Sequence, residues 1–526
     1  MRWWGWGEDR DAIHLPPHAV ELLREQLGID GSRRPHVPLE EVALSEPAPV
    51  RLPGELRTDR DARVLHAVGR GYPDLVRIRS GDGSSAPDAV AYPGSHEEVA
   101  ELLRACAAEK IAVVPFGGGT SVVGGVEPLR DGHSAVVTLD LSRLDRLLSV
   151  DRESLLATLA PGVTGPRAET LLASRGLTLG HYPQSFEYAT LGGFVATRSA
   201  GQASTGYGRI DELVRGVRLA APAGDLAVKT VPASAAGPSL RELVVGSEGT
   251  LGVITEATFM VRPLPRVRRY EGWSFRSFEE GCEAFRAMEQ EDASPDVARL
   301  SDEDETRLNM ALTSSGSLTD RAGRAYLKAR GHEGGCIVIV GFEGSERDVA
   351  LKRGFASAIL KRSGGLPLGT GPGRSWVRNR YAAPYLRDEL LDLGVMVETL
   401  ETATTWSNLL HLHRAVREAL RAHAPLVMCH VSHLYRSGAS LYFTFLGRQE
   451  QGHELEQWRA AKAAASDAIV ANGGTITHHH AIGRDHLPWM PAEVGELGIE
   501  VLRAAKERLD PAGIMNPGKL IPERQS

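Results

Sequence analysis

Three consecutive histidines, His478, His479 and His480, stand inside "NGGTITHHHAIG". In an extended segment His478 and His480 would share one face while His479 points the other way. Two imidazoles on one face suit anion binding, proton exchange or metal ligation; a solvated polar turn is the plain alternative. Upstream, "CHVSHLYRSGASLYFTF" (429–445) offers Tyr435, a phenol suited to proton transfer once its surroundings tune it, with Arg436 beside it. "APYLRDELLDLG" (383–394) offers Arg387, a planar and permanently charged guanidinium suited to phosphate or carboxylate. The competing use of Arg387 is a pairing with Asp388 or Glu389. His430 and His433 are three apart, with no glycine–aspartate turn between them. His411 and His413 are two apart on a helical pattern, so they diverge and make no ligand pair.

Backbone chemistry is prominent too. "PFGGGTSVVGG", Pro115 to Gly125, places five glycines in eleven residues directly after "IAVVP". Glycine costs backbone entropy and packs nothing, so such a run belongs where the chain turns tightly or approaches something closely. A phosphate-gripping P-loop would end in Gly-Lys-Ser/Thr, and none is present. A dinucleotide fingerprint from Gly117 fails at Val122. A nest of consecutive N–H groups that binds phosphate oxygens remains, beside an ordinary glycine-rich turn. Two further small-residue stretches follow: "QSFEYATLGGFVATRSAGQASTGYGRIDELV" (184–214), with Gly192-Gly193 and Arg198, and "VVGSEGTLGVITEATFMV" (244–261).

The elements that must position these groups are legible in outline. Ser95 and Glu98 form a capping box, after which Val99, Leu102, Leu103, Cys106 and Ala107 recur at helical spacing. "IAVVP", "AVVTLDL" (135–141) and "SLLATLAPGVT" (154–164) read as strands. "GPRAETLLASRGL" (165–177) reads as a helix with Leu171, Leu172 and Leu177 on its apolar side. "VRPLPRVRRYEG" (261–272) marks a domain exit. Beyond it the helices "EEGCEAFRAMEQ" and "TTWSNLLHLHRAVREALRAH" alternate with the strands "GCIVIVGFEG" and "ASLYFTFLG", predicting an antiparallel sheet. The polar stretch 314–335 reads as a mobile surface connection. A last helix is stopped by Asp510-Pro511.

At 526 residues the chain exceeds one core, and two or three domains are expected. Hydrophobic residues at 42% and charged residues at 24% fit an ordinary globular protein. A net charge of −7 predicts no nucleic-acid partner. Cys106, Cys282, Cys336 and Cys429 are widely spaced, which predicts neither a zinc knuckle nor a disulfide framework and favours a reducing cytoplasm. Glu8, Asp9, Arg10 and Asp11 interrupt any signal-peptide core, and no apolar run has membrane-spanning length. Trp3, Trp4 and Trp6 are expected to form a packed N-terminal anchor.

In order and spacing, "PFGGGTS" and the two later stretches resemble the FAD-binding domain of the vanillyl-alcohol oxidase superfamily, over roughly 85–265. The resemblance implies an α+β fold, with a second α+β cap domain on an antiparallel sheet. It implies FAD contacts at Pro115, Phe116, Gly117, Gly118, Gly119, Thr120 and Ser121, then at Gln184, Ser185, Phe186, Glu187, Tyr188, Ala189 and Thr190. Further contacts fall on Thr197, Arg198, Ser199 and Ala200, and on Gly246, Ser247, Glu248, Gly249, Thr250, Leu251 and Gly252. Some relatives attach flavin through a histidine in or beside the first loop. None lies between Ile111 and Glu127, so non-covalent FAD is expected, with His181 the histidine nearest the second loop.

"NGGTITHHHAIG", the segment around Arg387, the segment around Tyr435 and the N-terminal "RWWGWG" are together similar to the alkyldihydroxyacetonephosphate (alkylglycerone-phosphate) synthase family. That resemblance implies an ether-lipid reaction without net oxidation: the fatty acid of acyl-dihydroxyacetone phosphate is exchanged for a fatty alcohol, through a covalent adduct at flavin N5. Arg387 then binds substrate, and Tyr435 moves protons assisted by His478, His479 and His480, with no metal. Arg436 departs from the family, which has an acidic residue there. The expected layout is an N-terminal segment at 1–84 packing on the FAD domain at 85–265. A cap at 266–470 and a C-terminal segment at 471–526 returning to the flavin complete it. A small or lipid-like substrate, a peripheral membrane contact and a homodimer are carried as expectations. The runner-up is an FAD-dependent 2-hydroxy acid dehydrogenase, whose C-terminal motif "DPAGIMNPGKL" resembles more closely. It carries a metal-holding glutamate where this chain has His479. A non-catalytic flavoprotein is the third reading.

Overall fold

The computed structural model describes residues 1–313 and 318–524. Helix His96–Glu109 starts where Ser95 accepts the Glu98 N–H at 3.1 Å. The expected capping box is only half formed, because the Glu98 carboxylate takes the Gly94 N–H instead of that of Ser95. Val99, Leu102, Leu103 and Cys106 bury its inner face. Strands Ile111–Phe116 and Ala89–Ala91 flank Ala135–Asp140 in parallel, and Leu56–Arg57 adds an antiparallel edge. A five-stranded antiparallel sheet follows, in the order Leu147–Asp151, Leu156–Leu159, Val253–Met260, Val214–Ala221, Gly224–Ala227. The helix predicted to 177 is Gly165–Ala173; Gly176, at φ +72°, turns the chain, and Leu177–Thr178 pairs as a strand with Arg262–Pro263.

The largest sheet begins at Val267, inside the stretch read as a domain exit, and every pair in it is antiparallel. Its main order is Leu366–Gly369, Val267–Phe275, Cys336–Gly344, Val297–Ser301, Leu426–Val431, Gly438–Arg448, Val395–Thr405. Helices Phe278–Gln290, Glu346–Arg362, Trp406–Arg421 and Glu454–Ala471 share a core with it through Phe285, Leu360, Leu412 and Ala465. Of the stretch expected to be a mobile connection, residues 318–329 form a helix and 314–317 lie outside the described residues. Its alanines and long basic side chains favour that helix despite Gly323.

The N-terminal segment packs on both halves of the chain: Leu56–Arg57 pairs with Ala89–Ala91, and Val50 and Leu52 pack on the core of Val113 and Val137, while other residues reach the largest sheet. Leu23 and Leu27 join Leu390, Val395 and Met428, while Val68, Tyr72 and Leu75 belong to the cluster of Leu400 and Phe445. Trp6 is buried and donates its backbone N–H to Asp388 at 2.6 Å; Trp4 stacks on His36. The C-terminal segment returns to the first domain, where Met515 bridges Val113 and shares its core. Among the described residues, no helix is long and apolar enough to cross a membrane.

Candidate active site

The glycine loop follows strand Ile111–Phe116. A Cβ at Gly118 would lie 2.0 Å from the Tyr188 carbonyl oxygen, and one at Gly117 would lie 2.2 Å from Thr190 Oγ1. These two positions therefore must be glycine for the first and second loops to touch, before any ligand is considered. Among the described residues, no backbone N–H from Gly117 to Val122 finds a protein acceptor. A run of six unspent amides at a strand end is the nest that a pyrophosphate needs. FAD fits this loop.

The other predicted FAD contacts divide. Gln184, Phe186, Glu187 and Tyr188 turn their side chains toward the second domain and N-terminus: Gln184 donates to the Arg380 carbonyl, Phe186 stacks on Tyr381, Glu187 accepts from the Tyr385 hydroxyl, and Tyr188 meets Trp6 edge-on. Thr190 caps helix Leu191–Ala196, leaving Ser185 and Ala189 in the turn before it. Arg198 is a clamp, donating to the Val245 carbonyl and pairing with Glu242. Thr197 Oγ1 bonds the Gly193 carbonyl, Ser199 bonds His181 Nε2 at 2.7 Å, and Ala200 is buried. Glu248 is structural as well: its carboxylate accepts the N–H groups of Ile482 and Gly483 at 2.8 and 2.7 Å and so ties the histidine segment to the FAD domain. Burial pushes it up to about 7. Ser247 Oγ and His181 Nδ1 are buried polar atoms without partners.

Tyr435 lies in the short strand Leu434–Tyr435, and its hydroxyl is 2.5 Å from His478 Nε2. Burial pushes the phenol up to about 12, against the pull of the Arg209 guanidinium beside it. Arg436 is exposed and pairs with Asp292 at 3.1 Å, away from the Tyr435 hydroxyl. Neighbours along a strand point to opposite faces.

The three histidines do not alternate as in an extended strand. They curl around Glu401, whose carboxylate accepts the backbone N–H groups of His478, His479 and His480 at 2.5, 2.9 and 2.8 Å and the Thr477 hydroxyl at 2.6 Å. Burial alone would raise the Glu401 carboxyl, but the three imidazoles and the Thr477 hydroxyl hold it well below its ordinary value. The curl brings His478 Nδ1 to 2.9 Å from His479 Nδ1 and leaves His480 edge-on to Tyr442. Burial pushes His478 and His479 down, and His480 down to about 3.

His433 joins the group, with ring nitrogens of His433, His478 and His479 all within 4.8 Å of one another. Such spacing suits a metal in principle, yet His478 already spends both nitrogens, on Tyr435 and His479. His433 Nδ1 is held by Ser204 at 2.6 Å. His430 stays apart, between Glu305 and Arg299. His411 and His413 diverge, toward Asn472 and Asp302.

Arg387 does not pair with its neighbours. Asp388 is taken by Trp6 and Arg2, and Glu389 by Arg33 and His14. Arg387 is half-buried, gives Nη1 to the Arg70 carbonyl, and has its buried Nε and Nη2 atoms without acceptors. A guanidinium with two buried, idle donors requires an anion. Sequence reasoning missed Glu401. Glu401 had one available signal, a carboxylate within a strand-forming stretch, which it shares with Glu398.

The chain matches the family model described as "FAD binding domain" over residues 87–228, and that described as "FAD linked oxidases, C-terminal domain" over 264–520. It is 33% identical to the alkyldihydroxyacetonephosphate synthase of Dictyostelium discoideum, across 99% of this chain and 93% of that protein. This chain belongs to the alkyldihydroxyacetonephosphate synthase family. The Trypanosoma brucei brucei alkyldihydroxyacetonephosphate synthase is 36% identical across 90% of this chain and 79% of its own length. A solved alkyldihydroxyacetonephosphate synthase structure matches with a TM-score of 0.86 at 30% identity, covering 99% of both chains. This synthase-family member is an FAD-dependent enzyme. Its α+β architecture is that of the FAD oxidases.

Proposed function

We propose that this enzyme exchanges the acyl group of an acyl-dihydroxyacetone phosphate for a long-chain alcohol, with FAD held non-covalently. The observation that carries the reading is the presence of a guanidinium with two buried, unpartnered donors, Arg387, together with a proton-transfer dyad of half-buried Tyr435 and buried His478. The amides of Gly117 to Val122 hold the FAD pyrophosphate in this reading. When bound, FAD supplies nucleophilic nitrogen chemistry at the reacting carbon, with no net change in its oxidation state.

The chain's own groups do the rest. Arg387 offers two donors to the phosphate or to the departing carboxylate. Tyr435 takes and returns a proton at the reacting carbon, relaying it to His478. Glu401 fixes the histidine loop and keeps a compensating negative charge beneath it. Four free buried cysteines support a reducing, cytoplasmic setting. Helix Leu318–Ala329, with exposed Leu318 and Tyr326 beside Arg321 and Lys328, supports peripheral contact with an anionic membrane surface. The test is incorporation of labelled hexadecanol into acyl-dihydroxyacetone phosphate. Ether product is expected; its absence with any chain length would remove the proposal.

A further inference from the structure

Arg70 is buried between two glycines, Gly69 and Gly71, and its guanidinium is spent on backbone. Nε donates to the Gly5 carbonyl at 3.2 Å, Nη1 to that of Gly69 at 2.7 Å and Nη2 to that of Arg2 at 2.9 Å. The Arg70 backbone N–H donates to the Ser121 carbonyl, in the glycine loop, at 2.6 Å. A Cβ at Gly69 would lie 2.5 Å from that same oxygen, and one at Gly71 would lie 2.9 Å from the Val122 oxygen. The segment therefore lies flat on the carbonyl side of the loop. The Arg70 carbonyl accepts Arg387 Nη1 at 2.5 Å, so one residue joins the glycine loop to Arg387.

Residues 2–7 close over this bridge as a hook. The Arg2 N–H donates to the Gly7 carbonyl at 2.8 Å, and the Arg2 guanidinium donates to the Trp6 carbonyl. The hook turns the Arg2 and Gly5 carbonyls to Arg70. It also gives the Trp6 N–H, at 2.6 Å, to Asp388, the neighbour of Arg387 on helix Ala383–Asp392. A Cβ at Gly5 would meet Asp388 Oδ2 at 2.4 Å, so the hook seats only with glycine there.

We infer that Arg70, clamped by the hook, is a positioning residue for Arg387, holding in place the carbonyl that takes Nη1; the inference rests on the anion-receptor role proposed for Arg387. In a guanidinium, Nε and Nη2 share one edge and Nη1 stands at the other corner. Spending Nη1 on a fixed carbonyl therefore presents the Nε–Nη2 edge, whose atoms are buried and without acceptors, as a preformed two-pronged donor. Left unanchored, so long a side chain would be ordered only by the incoming anion, at a cost in rotamer entropy. A carbonyl suits the task because it accepts a hydrogen bond without neutralising the charge. Asp388 is the carboxylate that would neutralise it, and the hook occupies Asp388 with Trp6 and Arg2.

The test is a double-mutant cycle on the FAD-loaded full chain: wild type, Arg70→Met, Arg387→Ala and the double variant, each titrated with inorganic phosphate by calorimetry. Arg70→Met is expected to weaken phosphate by about 10-fold and to lower kcat/KM for acyl-dihydroxyacetone phosphate by a similar factor. In the Arg387→Ala background the same substitution should weaken phosphate no further, because the group it positions is gone. Unchanged phosphate affinity in Arg70→Met overturns the inference. So does an equal loss in both backgrounds, which is the mark of a merely structural role. Where Arg70→Met fails to fold or to hold FAD, Gly5→Ala decides, since it unseats the hook and leaves Arg70 in place: weakened phosphate supports the inference, and wild-type affinity overturns it. Phosphate binding by Arg387→Ala that matches the wild type would instead remove the anion-receptor reading itself, which separates the two failures.

Discussion

Tyr435 Oη lies 2.5 Å from His478 Nε2, although the tyrosine comes from the largest sheet and the histidine from the segment that returns to the first domain. The dyad exists only when both domains and the C-terminal segment are assembled. Tyr435→Phe removes the hydroxyl and keeps the ring. Turnover should fall by about 100- to 10,000-fold with FAD content unchanged. The checks are steady-state kinetics and the flavin absorbance of the purified variant.

Glu401 and the amides of His478 to His480 form the clasp that shapes the loop. Glu401→Gln puts an NH2 group where only acceptors fit and removes the charge. A loss of about 3 kcal/mol is expected, from charge-assisted bonds broken in a buried place. Thermal unfolding should show an earlier transition, and activity should fall with it.

Arg387 is poised for an anion, not for a neighbour. Arg387→Ala should leave FAD bound, abolish turnover and weaken protection by substrate phosphate analogues in thermal shift. Arg387→Lys should rescue little, because a point charge cannot replace the planar fork. Purified apoprotein would show that Arg387 instead supports the cofactor.

How far the sequence carries is instructive at particular residues. The glycine loop was readable because backbone chemistry leaves its mark in composition. Gly117 and Gly118 nevertheless proved necessary for loop–loop contact first. Glu398 and Glu401 look alike in "VMVETLETATT". Three residues apart on a strand, they face opposite sides: Glu398 takes the Trp458 indole N–H on the helix side, and Glu401 takes the histidine loop. That difference depends on strand register, which a local pattern does not contain. Arg436 drew attention by adjacency to Tyr435, whereas the residue that reaches the phenol is His478, from the C-terminal segment.

Burial holds His478 and His433 well below 6.5 and His181, His480 and His486 down to about 3. Unfolded, each takes up a proton near pH 6.5, so the unfolded state binds more protons below that value and stability falls as pH drops. Asp74 at about 6 and Asp485 and Glu248 at about 7 act oppositely, since they hold protons in the fold that the unfolded chain releases. The five histidines outnumber these three carboxyls. Unfolding midpoints should therefore decline from pH 6.5 to pH 4, and midpoints that stay level would mean that the imidazoles are charged in the fold.

A flavin reaction that exchanges substituents without net oxidation has a distinctive stoichiometry, which is measured under anaerobic conditions. The FAD-loaded enzyme is mixed with acyl-dihydroxyacetone phosphate and a fatty alcohol, and in parallel with D-lactate or glycolate. One fatty acid should be released per ether formed, with the flavin spectrum oxidised at the end of turnover and no bleaching by either hydroxy acid. Rapid bleaching by a hydroxy acid, with no ether formed, would contradict it.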